Sequence, residues 1–293
     1  MSSGRKKRFG DRRDGRRLHK ISPINAMTAY IMKSRNDATN YFKDSVEVSE
    51  SEKFLRMKRT NGYPGIGFLH LFIALYIRLA SQYPAINRFV SGQRVYARNS
   101  IECVMIVKPK LKTATAETSI KVVFEPTDTI NEVYRKMSAK IDSVKHDNDA
   151  TETDDAANML MKLPRLILKF AIFALSFLDY FDLMPKSLVS ASPFHGSVFI
   201  TDLGSIGLPA IYHHLYNFGN IPLFIAFGVK RKAFETDKDG KVCERKYLDY
   251  TISSDERICD GFYFSQMFRV FNSILRNPQM LDHPPDSVSE DVD

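Results

Sequence analysis

Apolar and polar positions switch between two periods along this chain, and the switches mark its elements. Over residues 67–83 (GFLHLFIALYIRLASQY) apolar side chains recur at three- and four-residue spacing up to Pro84, which predicts a core helix. Residues 24–42 read as a helix followed by a strand, and residues 41–49 alternate as a strand. Residues 50–62 form a helix closed by Gly62 as its C-terminal cap. The runs 94–111 and 118–126 are rich in β-branched residues and predict paired strands. Residues 127–144 open with a Thr/Asp cap and continue as an amphipathic helix. Strands broken by glycines follow at 196–207 and 221–235. The KDGK turn at 238–241 then returns the chain through a strand at 246–257. A last helix over 261–281 carries its apolar face at Phe264, Phe268, Phe271, Ile274 and Leu275. With no internal repeat, the pattern implies one α/β domain, a two-layer sandwich with helices on a mixed, largely antiparallel sheet.

Charge refines the boundaries. The chain carries +8 over 293 residues, and RKKRFGDRRDGRRLHK near its start holds nine lysines and arginines against two aspartates. Residues 1–21 are therefore expected to be a disordered basic tail, residues 22–285 the domain, and residues 286–293 an acidic tail. The polar, acidic stretch 142–158 is expected to be a surface linker within the domain. The rest of the chain is nearly neutral, so no nucleic acid is expected. Cys103, Cys243 and Cys259 have no paired spacing, which argues against a disulfide framework or a zinc site. The acidic linker lacks the spacing of a calcium loop. No metal is expected.

Without an apolar leader segment, the expected location is cytoplasmic. The most apolar run, residues 163–185, is interrupted by Arg165, Lys169, Asp179 and Asp182. Its charge-free centre (170–178) is far short of the ~20 residues of a membrane span. A buried or interface helix fits better. The basic tail or this helix could also touch an anionic membrane surface.

Three landmarks, in order, carry a resemblance to the catalytic domain shared by the 2-oxoacid dehydrogenase acyltransferases and chloramphenicol acetyltransferases. QYPAINRFV (82–90) resembles the helix end that precedes a strand in that family. FITDLGSIG (199–207) resembles its TISNLGxxG segment. SDERICDGFYFSQMF (254–268) resembles DHRxxDG and HHxxCDGFH. The match runs over residues 24–281 and implies the chloramphenicol-acetyltransferase-like fold and a homotrimer with active sites between subunits. It also implies direct acyl transfer from acyl-coenzyme A to a small thiol or hydroxyl acceptor. The short basic start holds no lipoyl or subunit-binding domain, so a stand-alone protein is expected.

The family's chemistry needs a base to take the acceptor's proton and a hydroxyl to stabilise the oxyanion. By motif position the resemblance assigns the oxyanion hydroxyl to Thr201, with Ser205 as substitute, and the structural anchor to Asp260 beside Gly261. Arg35 is the expected arginine partner of Asp260. At the base position stands Glu256 where the family has histidine. Three readings stand open. Glu256 is itself the base: a free glutamate titrates near about 4.3, burial would raise it, and pairing with Arg257 would oppose the rise. Or His195, His213 or His214 supplies the base. Or the site is inactive, and a trimer of this fold serves ligand binding, assembly or membrane docking. Arg94, Arg98, Lys108 and Lys110 are expected on adjacent strands, where they could meet the phosphates of a nucleotide-bearing thiol.

Overall fold

The computed structural model describes residues 6–107, 118–146 and 158–292. The elements run β1 (Gly15–Arg17), α1 (Pro23–Ile31), β2 (Thr39–Glu47), α2 (Ser49–Thr60), α3 (Phe68–Gln82), β3 (Arg88–Ser91), β4 (Arg94–Arg98) and β5 (Ile101–Val107). They continue with β6 (Thr118–Phe124), α4 (Ile130–His146), α5 (Arg165–Tyr180), α6 (Lys186–Ala191), β7 (Val198–Asp202), β8 (Leu223–Thr236), β9 (Val242–Asp255) and α7 (Gly261–Arg276). Local chemistry sets several ends. Ser22 caps α1 ahead of Pro23, Asp260 caps α7, and Gly62 takes φ +96° just past α2, a conformation glycine adopts without a Cβ penalty.

A 6-stranded sheet of order β2-β9-β8-β7-β5-β6 carries the domain, and a 3-stranded sheet β1-β4-β3 stands beside it. The sheet is mixed: β5, β7 and β8 are mutually parallel, and the remaining pairs are antiparallel. Helix α3 is buried along its length from Leu71 to Ser81, and Phe72 stacks on Phe227 of β8 with ring centroids 4.3 Å apart. Both faces of the central strands are covered, which explains the unbroken apolar run LFIAF at 223–227. Leu223, Ile225 and Phe227 join the helix-side core, whereas Phe224 and Ala226 pack with Phe199 and Leu215 on the opposite face.

Segment 208–216 lies on that opposite face. At Gly228 an added Cβ would fall 2.2 Å from the Ala210 nitrogen, so only glycine lets the two backbones pass this closely. The hydroxyl of Thr251 donates to Ile211 O (2.5 Å) and that of Ser253 to His213 O, strapping the segment to β9.

The expected strand over 94–111 divides at Asn99: β4 belongs to the small sheet, and β5 pairs with β6 in the large one. Lys108, Lys110 and most of the acidic linker lie outside the described residues. The termini depart from expectation most. From Lys6 onward the basic segment is part of the fold, contributing β1 and a buried Arg12. Arg12 donates to Asp14 (2.9 Å) and to Asp179 of α5 (2.8 Å), below the rings of Phe89 and Tyr96. Arg16 donates to the carbonyls of Asp291 and Val292, and Arg88 pairs with the Asp291 carboxylate. The basic and acidic ends, both read as tails, thus hold one another. Nor is α5 a buried helix: only Asp179 in it is fully buried. Among the described residues no helix is long and apolar enough to cross a membrane.

Asp179 also lies 3.3 Å from His195 Nε2, at an angle poor for a hydrogen bond. Burial raises the Asp179 pKa, but His195 and Arg12 outweigh it and bring it to about 2. Because the folded pKa lies below that of a free aspartate (about 3.9), this stability is present above pH ~4 and is lost as pH falls through about 2. Asp179→Asn removes one of the two carboxylates that the buried Arg12 guanidinium meets, leaving Asp14, and is expected to cost about 1.5–3 kcal/mol at pH 7. In urea unfolding the gap to wild type should narrow as the pH falls from 4 towards 2; a gap independent of pH would contradict the assignment.

Candidate functional site

Strand β9 ends in a buried carboxylate, and the loop that follows is fastened to it. Asp255 accepts two hydrogen bonds from the Arg257 guanidinium, Nε to Oδ1 and Nη2 to Oδ2, both 2.7 Å, and one from the Arg257 backbone N–H (3.1 Å). Both side chains are nearly inaccessible. A second guanidinium, Arg35, places Nε 3.6 Å from Asp255 Oδ2 and donates to Tyr216 O and Val90 O. Burial lowers the Arg35 pKa to about 10, with Asp255 opposing the shift and Arg257 adding to it. Further anchors hold the loop backbone. Glu256 N donates to Ala38 O (2.9 Å), Arg88 Nη1 donates to Ile258 O (3.1 Å), and Arg257 Nη1 reaches Met32 O (2.8 Å).

This geometry corrects two expectations. Arg35 serves Asp255 rather than Asp260, which is exposed and accepts from Tyr263 N as the α7 cap. Arg257 pairs with Asp255 rather than with Glu256. A bidentate fork needs a carboxylate in its own plane, and the Asp255 oxygens fill that position. The Glu256 carboxylate, half-buried, meets no hydrogen-bond or ion-pair partner among the described residues. At Gly261 an added Cβ would meet nothing within 4 Å, so nothing within one chain demands glycine there.

Thr201, half-buried on β7, pairs with Ala226, which pairs with Thr251 on β9. Two residues back along the strands, Phe199, Phe224, Ser253 and Tyr41 form the neighbouring row on the same face. The His213 ring stacks on Phe224 there, 3.8 Å between centroids and 4° between planes, and burial lowers its pKa. Thr201 and His213 therefore share one sheet face. His214 is exposed and turns its ring towards Tyr216. No hydrogen bond joins Glu256 to Thr201 or to any of these histidines.

Two candidates are placed in structural roles. His195 is fully buried, with Nδ1 2.8 Å from the Ser192 hydroxyl and Nε2 facing Asp179, which leaves it no open side towards a substrate. The Ser205 hydroxyl donates to Asp202 O, and its N–H donates to Asp202 Oδ1, closing the turn after β7. Arg98, one of the expected phosphate ligands, is buried against Asn220 and Asp14, while Arg94 is exposed on β4. The thiols of Cys103 and Cys259 are buried, and burial pushes both pKa values up. Among the described residues no three histidine, cysteine or carboxylate side chains converge as a metal site.

A cavity of ≈ 580 Å³ is lined by Lys6, Lys7, Arg16 and Lys186 among others, with Asp291 in its wall. Through Asp291 that wall connects to Arg88, the residue that also holds the loop at Ile258. Sequence reasoning did not single out Asp255 or Arg88. The aspartate opening the DHRxxDG pattern was the available signal for Asp255, and Arg88 offered none.

No family model matches the sequence, and no curated protein matches it. Solved structures do match. A probable dihydrolipoamide acetyltransferase from Listeria monocytogenes 4b F2365 is similar with a TM-score of 0.55 and 12% identity, over 88% of this chain and 95% of that one. Chloramphenicol acetyltransferase follows with 0.53 and 12%, over 88% and 99%. A truncated catalytic core of the 2-oxoacid dehydrogenase multienzyme complex from Thermoplasma acidophilum gives 0.51 and 14%, over 89% and 98%. The chain has the fold these acyltransferases share.

Asp255→Asn is expected to cost about 3–5 kcal/mol, because it leaves the Arg257 and Arg35 guanidinium groups buried without their carboxylate. Glu256→Gln should stay within about 0.5 kcal/mol of wild type. Urea unfolding of the two variants side by side separates them. Equal losses would make Glu256 part of the scaffold.

Proposed function

We propose that this chain transfers an acyl group from acyl-coenzyme A to a small thiol or hydroxyl acceptor, with Glu256 as general base and Thr201 as oxyanion donor. One observation carries the reading. In a loop where Asp255, Arg257 and Asp260 are all committed to holding the backbone, the Glu256 carboxylate alone is left free, at the position where the resembling family has its histidine.

The acceptor's proton passes to Glu256 as its sulfur or oxygen attacks the thioester carbon. The Thr201 hydroxyl donates to the oxygen that gains charge. Collapse of the tetrahedral species breaks the carbon–sulfur bond, and the departing thiolate of coenzyme A takes the proton back from Glu256. Asp260 does not reach the substrate; it anchors the start of α7 and with it the far end of the loop. Glu256 and Thr201 make no contact within one chain. A homotrimer that sets the loop of one subunit against the sheet face of the next would bring them together, which is the arrangement the family resemblance implies. The cationic cavity supports a phosphate-bearing acyl donor, since Lys6, Lys7 and Lys186 there have no carboxylate partner among the described residues. The three free thiols suit a reducing, cytoplasmic setting.

Thiol release from acetyl-, propionyl- and longer acyl-coenzyme A, with a panel of thiol and hydroxyl acceptors, tests the proposal. Glu256→Gln is expected to lower acceptor-dependent turnover by about 100-fold or more, while Glu256→His retains it. Turnover unchanged in Glu256→Gln, or absent from both wild type and Glu256→His, would refute the assignment.

A further inference from the structure

Helix α5 is inverted relative to an ordinary surface helix. Its inner side carries the half-buried Ala174, Leu175 and Leu178. Its outer side carries Leu166, Phe170, Phe173 and Phe177 at steps of four, three and four residues, the spacing of one helical face. These side chains are 81%, 70%, 67% and 54% exposed. Four large apolar groups aligned towards water form a contiguous patch of the kind that marks an interaction surface.

The charges around the patch are sorted by sign. Lys162, Arg165 and Lys169, in the first turns of the helix and just before it, are exposed and have no carboxylate partner among the described residues. The carboxylates at the other end are withdrawn into the protein. Asp179 is taken by Arg12 and His195, and Asp182 accepts from the Arg13 backbone N–H and guanidinium. The outward side of α5 therefore presents apolar rings beside free cations, with the carboxylates of its own segment neutralised from within.

We propose that α5 is an in-plane membrane-docking helix that seats Leu166, Phe170, Phe173 and Phe177 among the acyl chains of an anionic lipid surface, with Lys162, Arg165 and Lys169 at the headgroups. A helix of 16 residues lying flat suits this geometry, whereas no helix among the described residues is long enough to span. Charge complementarity favours lipid over a second protein face, because unpaired cations bordering an apolar stripe match phosphate headgroups. The five carboxylates in residues 147–157, close ahead in the chain, oppose a purely electrostatic attraction. The aromatic stripe must therefore carry the binding, and the cations add preference for anionic lipid. None of this depends on Glu256, so the docking proposal and the catalytic proposal stand or fall separately.

Flotation of the full chain with vesicles of phosphatidylcholine alone, and of phosphatidylcholine with phosphatidylglycerol, provides the test. The wild type is expected to float with the anionic vesicles. Phe170→Ser with Phe173→Ser should reduce the floated fraction at least about tenfold while leaving the thermal midpoint unchanged, since both positions are exposed. Lys162→Glu, Arg165→Glu and Lys169→Glu together should abolish the preference for anionic lipid. A wild type that stays at the bottom with both vesicles, or a double serine variant that floats like wild type, would overturn the proposal. Light scattering adds a further decisive outcome. If the serine variant lowers the oligomeric mass without changing flotation, the face belongs to a second copy of the chain and the lipid assignment is wrong.

Discussion

The buried carboxylate of Asp255 is the point on which the site's geometry depends. It ends β9, receives the whole fork of Arg257 two residues later, and has Arg35, from the loop ahead of the neighbouring strand β2, at 3.6 Å. A lone carboxylate at this depth would be costly, and so would either guanidinium. Together they satisfy most of their hydrogen-bonding capacity, and the geometry of the fork dictates a tight turn in residues 255–257. Glu256 sits at the apex of that turn. Its backbone is held by Ala38 while its side chain is left uncommitted, which is the condition for a group that must meet something from outside the chain.

Long-range ion pairing plays a similar part elsewhere. Arg12 joins the chain's start to α5 through Asp179, and Arg88 joins the motif loop at Ile258 to the C-terminal segment at Asp291. Each of these arginines is largely buried and supplies several donors to carbonyls and carboxylates from distant segments, a use that suits the planar guanidinium better than lysine. Some exposed lysines, in contrast, have no carboxylate partner among the described residues: Lys6, Lys7 and Lys186 around the ≈ 580 Å³ cavity, and Lys162 and Lys169 beside the apolar stripe of α5.

The molecule thus divides its polar groups between two tasks. One set, Asp14, Asp179, Asp255, Arg12, Arg35, Arg88, Arg98 and Arg257, is consumed by the scaffold. The other, Glu256, Thr201, Lys162, Arg165 and Lys169, faces outward with no structural duty. His213 stands between the two sets. Its backbone carbonyl straps segment 208–216 to β9, while its ring lies flat on Phe224 on the same face as Thr201.

Much of this architecture was legible in the amino-acid order, because local physics sets it. The three- and four-residue spacing of 67–83 yields α3. The Asp260 cap opens α7, Gly62 ends α2, and the alternation beyond KDGK yields the β8–β9 hairpin. The motif order also led to the fold and to Glu256 as the odd residue of its loop. The partners of charged side chains were not legible. Arg257 beside Glu256 and Arg35 near Asp260 looked like pairs by motif and proximity, yet both guanidinium groups turn to Asp255, the carboxylate the core had already desolvated. The basic start read as a solvated tail because two of its neutralising carboxylates, Asp179 and Asp182, lie more than 160 residues further along the chain. Sequence spacing fixes which residues share a helix face or a strand face. Which buried charge meets which is decided only when the chain closes, because the cost of leaving one unpaired is set by tertiary burial.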